Sequence, residues 1–169
     1  MNAIFNRRSI RKYKDKPIEK EKVEKLLRAA MQAPSAVNEQ PWEFIVVQNK
    51  DTLNKLSNMS PYSKMVASCG AAIVLVANTE AFRIPTGWQQ DMGAAAENLL
   101  LEAVELDLGA VWLGVATSED ASKFITNFFG LPENIKPFAL ISVGYPDEGQ
   151  ENKFIDRFNE NKVHYENWK

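Results

Sequence analysis

The chain has 169 residues, 45% hydrophobic and 25% charged, with a formal net charge of −2; this is the make-up of one folded domain and argues against a disordered chain. A single cysteine, Cys69, and a single histidine, His164, exclude a disulfide framework and a Cys/His zinc cluster, and leave a Ser-His-Asp hydrolase only a histidine in a polar tail. Residues 1–30 carry ten Lys/Arg against four Asp/Glu, leaving −8 on the rest of the chain; that remainder would repel nucleic acid, so a small anionic ligand fits the local excess better.

In chain order, residues 2–8 read as a short helix. Ser9 to Pro17 reads as extended, because a residue before proline is pushed out of helical space. Helical spacing of Val23, Leu26, Leu27, Ala30 and Met31 predicts a helix over 19–33, ended by Pro34. "WEFIVV", 42–47, reads as a buried strand. A helix over 51–57 follows, with Asp51 as N-cap, and a short one over 63–68. "GAAIVLVA", 70–77, is β-branched at its centre and reads as a central strand, with Cys69 buried beside it. Residues 82–87 read as loop.

A long helix is expected over 89–106. It is apolar around much of its circumference, which points to burial on more than one side: a central core helix or a subunit interface. Gly109 is placed to follow its C-cap. "AVWLGV", 110–115, reads as a third strand. Ser118 is the N-cap of a helix reaching Phe129, with Glu119 and Asp120 in its first turn and Gly130 closing it. "PFALISVG", 137–144, reads as a fourth strand. Residues 147–169 form a polar tail whose Phe154, Ile155, Phe158, Tyr165 and Trp168 need a surface elsewhere, on the same body or on a partner. The class is α+β: one sheet with helices on both faces, in a single domain spanning 1–169. Trp42 and Trp112 read as core, and His164 as a surface or tail residue.

Several motifs are absent. No G-x-G-x-x-G follows a strand, no P-loop occurs, and no G-x-S-x-G elbow is present, which argues against a dinucleotide fold, a P-loop NTPase and an α/β-hydrolase. No acidic pair stands out. No signal-peptide pattern is visible and no apolar run approaches the ~18–20 residues needed to cross a bilayer. A cytoplasmic protein is expected, without nucleic-acid or membrane partners.

Two stretches carry the chemistry. In "RRSIRKYKDKPI", 7–18, six of the first ten residues are basic. A solvated face is the plain alternative, and it is the reading for Lys12, Lys14 and Lys16. In "APSAVNEQPWEF", 33–44, Ser35, Asn38 and Gln40 offer short donors and acceptors suited to a heterocycle, although Pro, Ser and Asn are also ordinary turn residues. Gly114, inside the third strand, lets backbone approach a flat ring. A phosphate site, an amide-rich loop and a bare strand edge together match the parts of a flavin mononucleotide.

"RRSIRKYKDKPI", "AMQAPSAVNEQPWEFIVV", "DMGAAAENLLLEAVELDLGAVWLGV", "LISVGYPDE" and "DRFNENKVHYENW" occur in an order that resembles the nitroreductase family of FMN-dependent oxidoreductases, in its shorter branch. The resemblance covers essentially the whole chain. It implies a nitroreductase-like central sheet flanked by helices, in an intertwined homodimer. Two FMN sites would lie at the dimer interface, with tail 147–169 wrapping the partner. It implies that Arg7 and Ser9, helped by Arg8, hold the phosphate and ribityl end, and that Arg11 reaches the pyrimidine edge, with Lys64 a further candidate there. Pro34, Ser35, Asn38 and Gln40 would face the flavin from the other subunit. Leu113 and Gly114 would approach the ring by backbone near N5. Arg157, with Lys153 in reserve, would supply a last cation to the phosphate. One departure is that Pro61 in "SPYSKMVASC" falls near where some members carry an asparagine.

The activity implied is FMN-dependent NAD(P)H oxidation. NADH or NADPH would be the transient donor in a ping-pong reaction with a quinone, nitroaromatic or similar small-molecule acceptor. No metal and no catalytic side chain are implied, because the flavin carries the chemistry. The alternative is a flavin-binding or sensor protein of the same fold without turnover.

Overall fold

The computed structural model describes residues 3–168. The first helix, α1, spans Ala3–Asn6; Asn2, expected at its start, lies outside the described residues, and Arg7 and Arg8 stand beyond its end. The other helices are α2 (Lys20–Met31), α3 (Lys50–Leu56), α4 (Trp88–Glu105) and α5 (Glu119–Phe129). Strands β1 (Trp42–Val47), β2 (Ala71–Asn78), β3 (Gly109–Gly114) and β4 (Ile135–Gly144) form one antiparallel sheet in the order β1-β2-β4-β3.

The central strands explain the two-sided architecture. β2 and β4 are buried along almost their whole length, so both faces of the sheet must be covered. Alternate side chains go to opposite faces. Ile73, Leu75, Ala139 and Ile141 pack with α2 and α4, while Ala72, Val74, Val76 and Leu140 pack with α3 and α5. α4 buries Met92, Ala95, Ala96, Leu99, Leu100 and Ala103, so its apolar circumference is used as a core helix within one chain.

Two expected caps are corrected. The N-cap of α3 is Asn49, not Asp51: its side chain accepts from the Thr52 N–H at 3.0 Å, and Asp51 sits in the first turn, where a carboxylate suits the helix dipole. At the end of α4 the left-handed residue is Asp107, with φ 59°, not Gly109. The Leu108 N–H reaches the Ala103 carbonyl at 2.8 Å and the Asp107 N–H reaches Val104 at 3.1 Å, a Schellman-type close. Gly109 instead starts β3. Ser118 caps α5 through the Ala121 N–H, and left-handed Gly130 ends that helix as expected.

The basic N-terminal segment is laid along the edge of the sheet. Ser9 bridges Ala110 and Tyr13 bridges Pro146. Tyr13 is buried; its hydroxyl donates to the Ile10 carbonyl at 2.7 Å and pairs with the Ser142 hydroxyl at 2.8 Å. These contacts fix the direction in which Arg7, Arg8 and Arg11 project. Lys12, Lys14 and Lys16 are exposed, but Lys16 is not merely solvated: its ammonium sits 3.8 Å from the Tyr145 ring centroid.

Among its described residues the tail contains no regular element beyond a short 3-10 turn at Glu160–Lys162. Its first part is tied down by Asn152, which accepts from the Arg8 N–H at 3.2 Å and donates to the Leu108 carbonyl at 2.9 Å. Farther on, Phe158, Tyr165 and Trp168 stand 78%, 79% and 87% exposed; the body of their own chain does not cover them. No helix among the described residues is long and apolar enough to cross a membrane.

Candidate functional site

A cleft of about 720 Å³ opens beside the end of β3. Leu113, Gly114 and Trp112 form one wall, Met59 and Met65 part of another, and Arg11 and Lys64 bring positive charge to it. Trp112 is half-buried and packs against Phe138, ring centroids 5.4 Å apart and planes tilted by 60°, so it is both core and cleft wall. Gly114 is exposed, and a Cβ there would come within 2.7 Å of the Thr117 hydroxyl. A side chain at this point would have to displace the Thr117 hydroxyl in the turn after β3, and glycine leaves the backbone open to a ligand. Lys64 donates to Asn58 Oδ1 at 3.0 Å, which steadies its ammonium. Pro61 lines the cleft as well.

A second concavity, about 280 Å³, lies among α1, the N-terminal segment and the tail. Arg7, Arg8 and Arg157 all line it. Burial, and then the neighbouring charges of Arg157 and Arg7, lower the pKa of Arg8. Arg8 Nε is buried and has no hydrogen-bond partner among the described residues. An orphaned guanidinium nitrogen among like charges is the environment an anion relieves. Arg7 is also held to α4 by Glu97 at 3.4 Å. Lys153 pairs instead with Glu151 at 3.2 Å and does not line this corner. Ser9 is exposed; its carbonyl accepts from Arg11 Nη1 at 3.4 Å.

Loop 34–40 stands apart from both concavities: Pro34, Ser35, Asn38 and Gln40 line neither of them. Its backbone is unusual. Val37, Asn38 and Gln40 have φ of 45°, 57° and 48°, a left-handed region that costs non-glycine residues energy and persists only when neighbours impose it. The Ser35 hydroxyl accepts from the Gln40 N–H at 3.0 Å and so ties the loop across itself.

A carboxyl pair not anticipated from the sequence holds this loop. Glu39 and Asp91 are both buried. Glu39 Oε2 accepts from the Arg83 and Ile84 N–H groups at 2.7 and 3.0 Å. Asp91 Oδ1 accepts from the Ala36 N–H at 2.9 Å. Burial opposes the charge on Glu39, but the Ile84 and Arg83 N–H groups, the Asp91 carboxyl and the Arg83 charge outweigh it and hold the Glu39 pKa down. Burial, together with the facing Glu39, pushes the Asp91 pKa up against the pull of the Ala36 N–H. The available signal was an acid, Asp91, set just before the apolar stretch "MGAAA" of a helical run, which by itself names no partner.

A one-sheet α+β domain with a cleft walled by strand backbone and apolar side chains, and an arginine corner on the same N-terminal segment, has the build to hold a flat anionic cofactor. The sequence pattern of the nitroreductase family matches residues 4–67 and 62–145. A protein of Archaeoglobus fulgidus, provisionally named an NADH dehydrogenase/NAD(P)H nitroreductase, is 45% identical over 99% of this chain and 98% of its own. Among solved structures, a provisionally named NADH oxidase of Clostridium acetobutylicum superposes with a TM-score of 0.96. It is 57% identical, covering 98% of this chain and 99% of its own. An FMN-dependent nitroreductase of Clostridium difficile R20291 gives 0.90 at 35% identity, covering 99% of both chains. The chain belongs to the nitroreductase family, and it is an oxidoreductase.

Proposed function

We propose that this chain is an FMN-dependent NAD(P)H oxidoreductase that works as a homodimer. The observation that carries the reading is the convergence of Arg7, Arg8 and Arg157 around an orphaned Arg8 Nε, on the segment that also sends Arg11 into the cleft. The arginines hold the phosphate, with Ser9 beside the ribityl chain. Arg11 keeps positive charge at the pyrimidine edge and favours negative charge on a bound ring, with Lys64 supporting it. The backbone at Leu113 and Gly114 lies against the ring near N5.

Loop 34–40 completes the site from the partner subunit, through Pro34, Ser35, Asn38 and Gln40. That none of these four lines the cleft of its own chain supports this, as do the uncovered Phe158, Tyr165 and Trp168 of the tail, which wraps the partner. The domain is single and includes that tail. Bound there, FMN would supply the two-electron chemistry of a ping-pong reaction between NADH or NADPH and a quinone or nitroaromatic. The site residues bind, orient and tune, and none is required as an acid or base. A cytoplasmic location, where reduced nicotinamide cofactors are supplied, belongs to the same reading.

The experiment is an absorbance spectrum of the purified protein followed by anaerobic titration with NADH and NADPH. A flavin spectrum that bleaches with either donor and returns on adding a quinone is expected. A colourless protein that cannot be reconstituted with FMN overturns the reading; bound FMN that neither donor bleaches leaves a flavin-binding protein without turnover.

A further inference from the structure

The feature that the proposed chemistry leaves unused is the buried carboxyl pair. Glu39 and Asp91 each spend one oxygen on backbone N–H groups, Glu39 on Arg83 and Ile84, Asp91 on Ala36. Their other oxygens, Glu39 Oε1 and Asp91 Oδ2, are buried without a donor among the described residues, and each carboxyl group acts on the other's protonation, Asp91 holding Glu39 down and Glu39 pushing Asp91 up. Two ionised carboxylates do not share such a site; one proton between them turns repulsion into a charge-assisted hydrogen bond. The pair also bridges three segments: loop 34–40, the start of α4, and the backbone of residues 83–84.

We propose that Glu39 and Asp91 share one proton and act together as the positioning pair that holds loop 34–40 in its left-handed, flavin-facing form. The inference rests on the functional reading above, since that reading has Ser35, Asn38 and Gln40 meet the flavin. The strain at Val37, Asn38 and Gln40 needs an outside restraint; the Ala36 N–H bond to Asp91 and the Glu39 bonds to 83–84 supply it on either side of Val37 and Asn38, and Gln40 follows directly on the anchored Glu39. The charges facing the pair are Arg83, from the loop after β2, and the two carboxyl groups themselves, from the loop and α4. Arg83 favours ionised Glu39, which leaves the proton on Asp91. As pH rises through the raised Asp91 pKa the proton leaves, two like charges meet, and the loop is released. As pH falls through the lowered Glu39 pKa both groups are neutral and the charge-assisted bond is lost.

Amide substitutions separate a shared proton from simple packing. Glu39→Gln or Asp91→Asn still leaves one donor between the two groups; the double variant sets two NH₂ groups against each other. The expected result is that each single amide binds FMN far more tightly than Asp91→Ala does, while the double variant loses about tenfold in affinity, the scale of one unsatisfied buried polar contact. The wild type should lose FMN affinity as pH rises through the Asp91 titration, and Asp91→Asn should not. Carbon-13 NMR of the Asp91 carboxyl in the FMN-free wild type should show it protonated above the ordinary carboxylate range. Additive losses in the double variant, or an Asp91 carboxyl titrating as an isolated aspartate, would overturn the inference. A wild type that takes up no FMN sinks the functional reading instead, and the carboxyl titration still judges the pair.

Discussion

Gly109 lies so close against Ile10 that a Cβ built on it would come within 2.6 Å of the Ile10 Cβ. The contact is the point at which β3 receives the basic N-terminal segment: the Ile10 N–H donates to Ala110 at 3.0 Å, one residue away. A methyl group at 109 therefore has to push that segment off the strand. Gly109→Ala should cost about 1–3 kcal/mol, the usual range for overpacking, and should weaken FMN binding because Arg7, Arg8 and Arg11 move with Ile10. Thermal unfolding and FMN titration check both parts; an unchanged melting temperature would mean the segment is not seated as described.

The basic residues should separate by role. Arg11→Ala should slow reduction and lower the flavin potential by about 30 mV, the two-electron equivalent of a tenfold effect, with a modest loss of affinity. Arg7→Ala and Arg157→Ala should instead cost about tenfold or more in FMN affinity, as the loss of a charge-assisted contact does. Lys153→Ala, paired with Glu151, should bind FMN as the wild type does. Potentiometry and equilibrium titration of the four variants decide the assignment.

The tail aromatics should act between subunits. Replacing Phe158 and Trp168 together by alanine should weaken the dimer by about 2–4 kcal/mol if they are anchors at its interface. Sedimentation velocity across a concentration series would reveal it. Because both are exposed in one chain, the secondary structure seen by circular dichroism should be unaffected.

Cys69 should be inert until the fold opens. Burial pushes its thiol from 9.0 up to about 12, against weaker opposition from backbone groups of Val143 and Ala71. The folded state thus holds this proton more tightly than the unfolded one. The contribution to stability is complete below pH 9.0 and is lost as pH rises toward about 12. Cys69→Ala should flatten that alkaline decline in a denaturant series at increasing pH. A thiol reagent at neutral pH should label the native protein only at its opening rate.

Much of the secondary structure could be read locally. The strands at 42–47, 71–78, 109–114 and 135–144 were expected within a residue or two, because short β-branched and apolar runs bounded by turn residues have few other ways to be buried. The helix at 119–129 was legible from its cap and its closing glycine. The α3 N-cap was mistaken because Asn49 and Asp51 are both good cap residues, and only the backbone path selects the one whose oxygen meets the Thr52 N–H. Gly109 was mistaken because a glycine after a helix looks like a cap, while the reason for this one is Ile10, far away in the chain.

Of the candidate site, residue types were readable and assembly was not. The order of basic residues from Arg7 to Arg11, and the amide-rich loop from Ser35 to Gln40, gave the ligand class through their chemistry and their family resemblance. Arg157 was preferred to Lys153 on the family resemblance, and the tail's path is what brings it beside Arg7 and Arg8; the Glu39–Asp91 pair needed α4 to be packed beside the loop. By itself the sequence determined which segments are helix or strand and that the core has two faces, since these follow from local spacing and side-chain type; that an anion and a heterocycle are the groups to expect followed from the family resemblance added to that chemistry. Only the tertiary structure decided the sheet order β1-β2-β4-β3, the lining of the cleft, and which acids meet. Those depend on contacts between residues far apart in the chain, whose partners are chosen by packing rather than by neighbours in sequence.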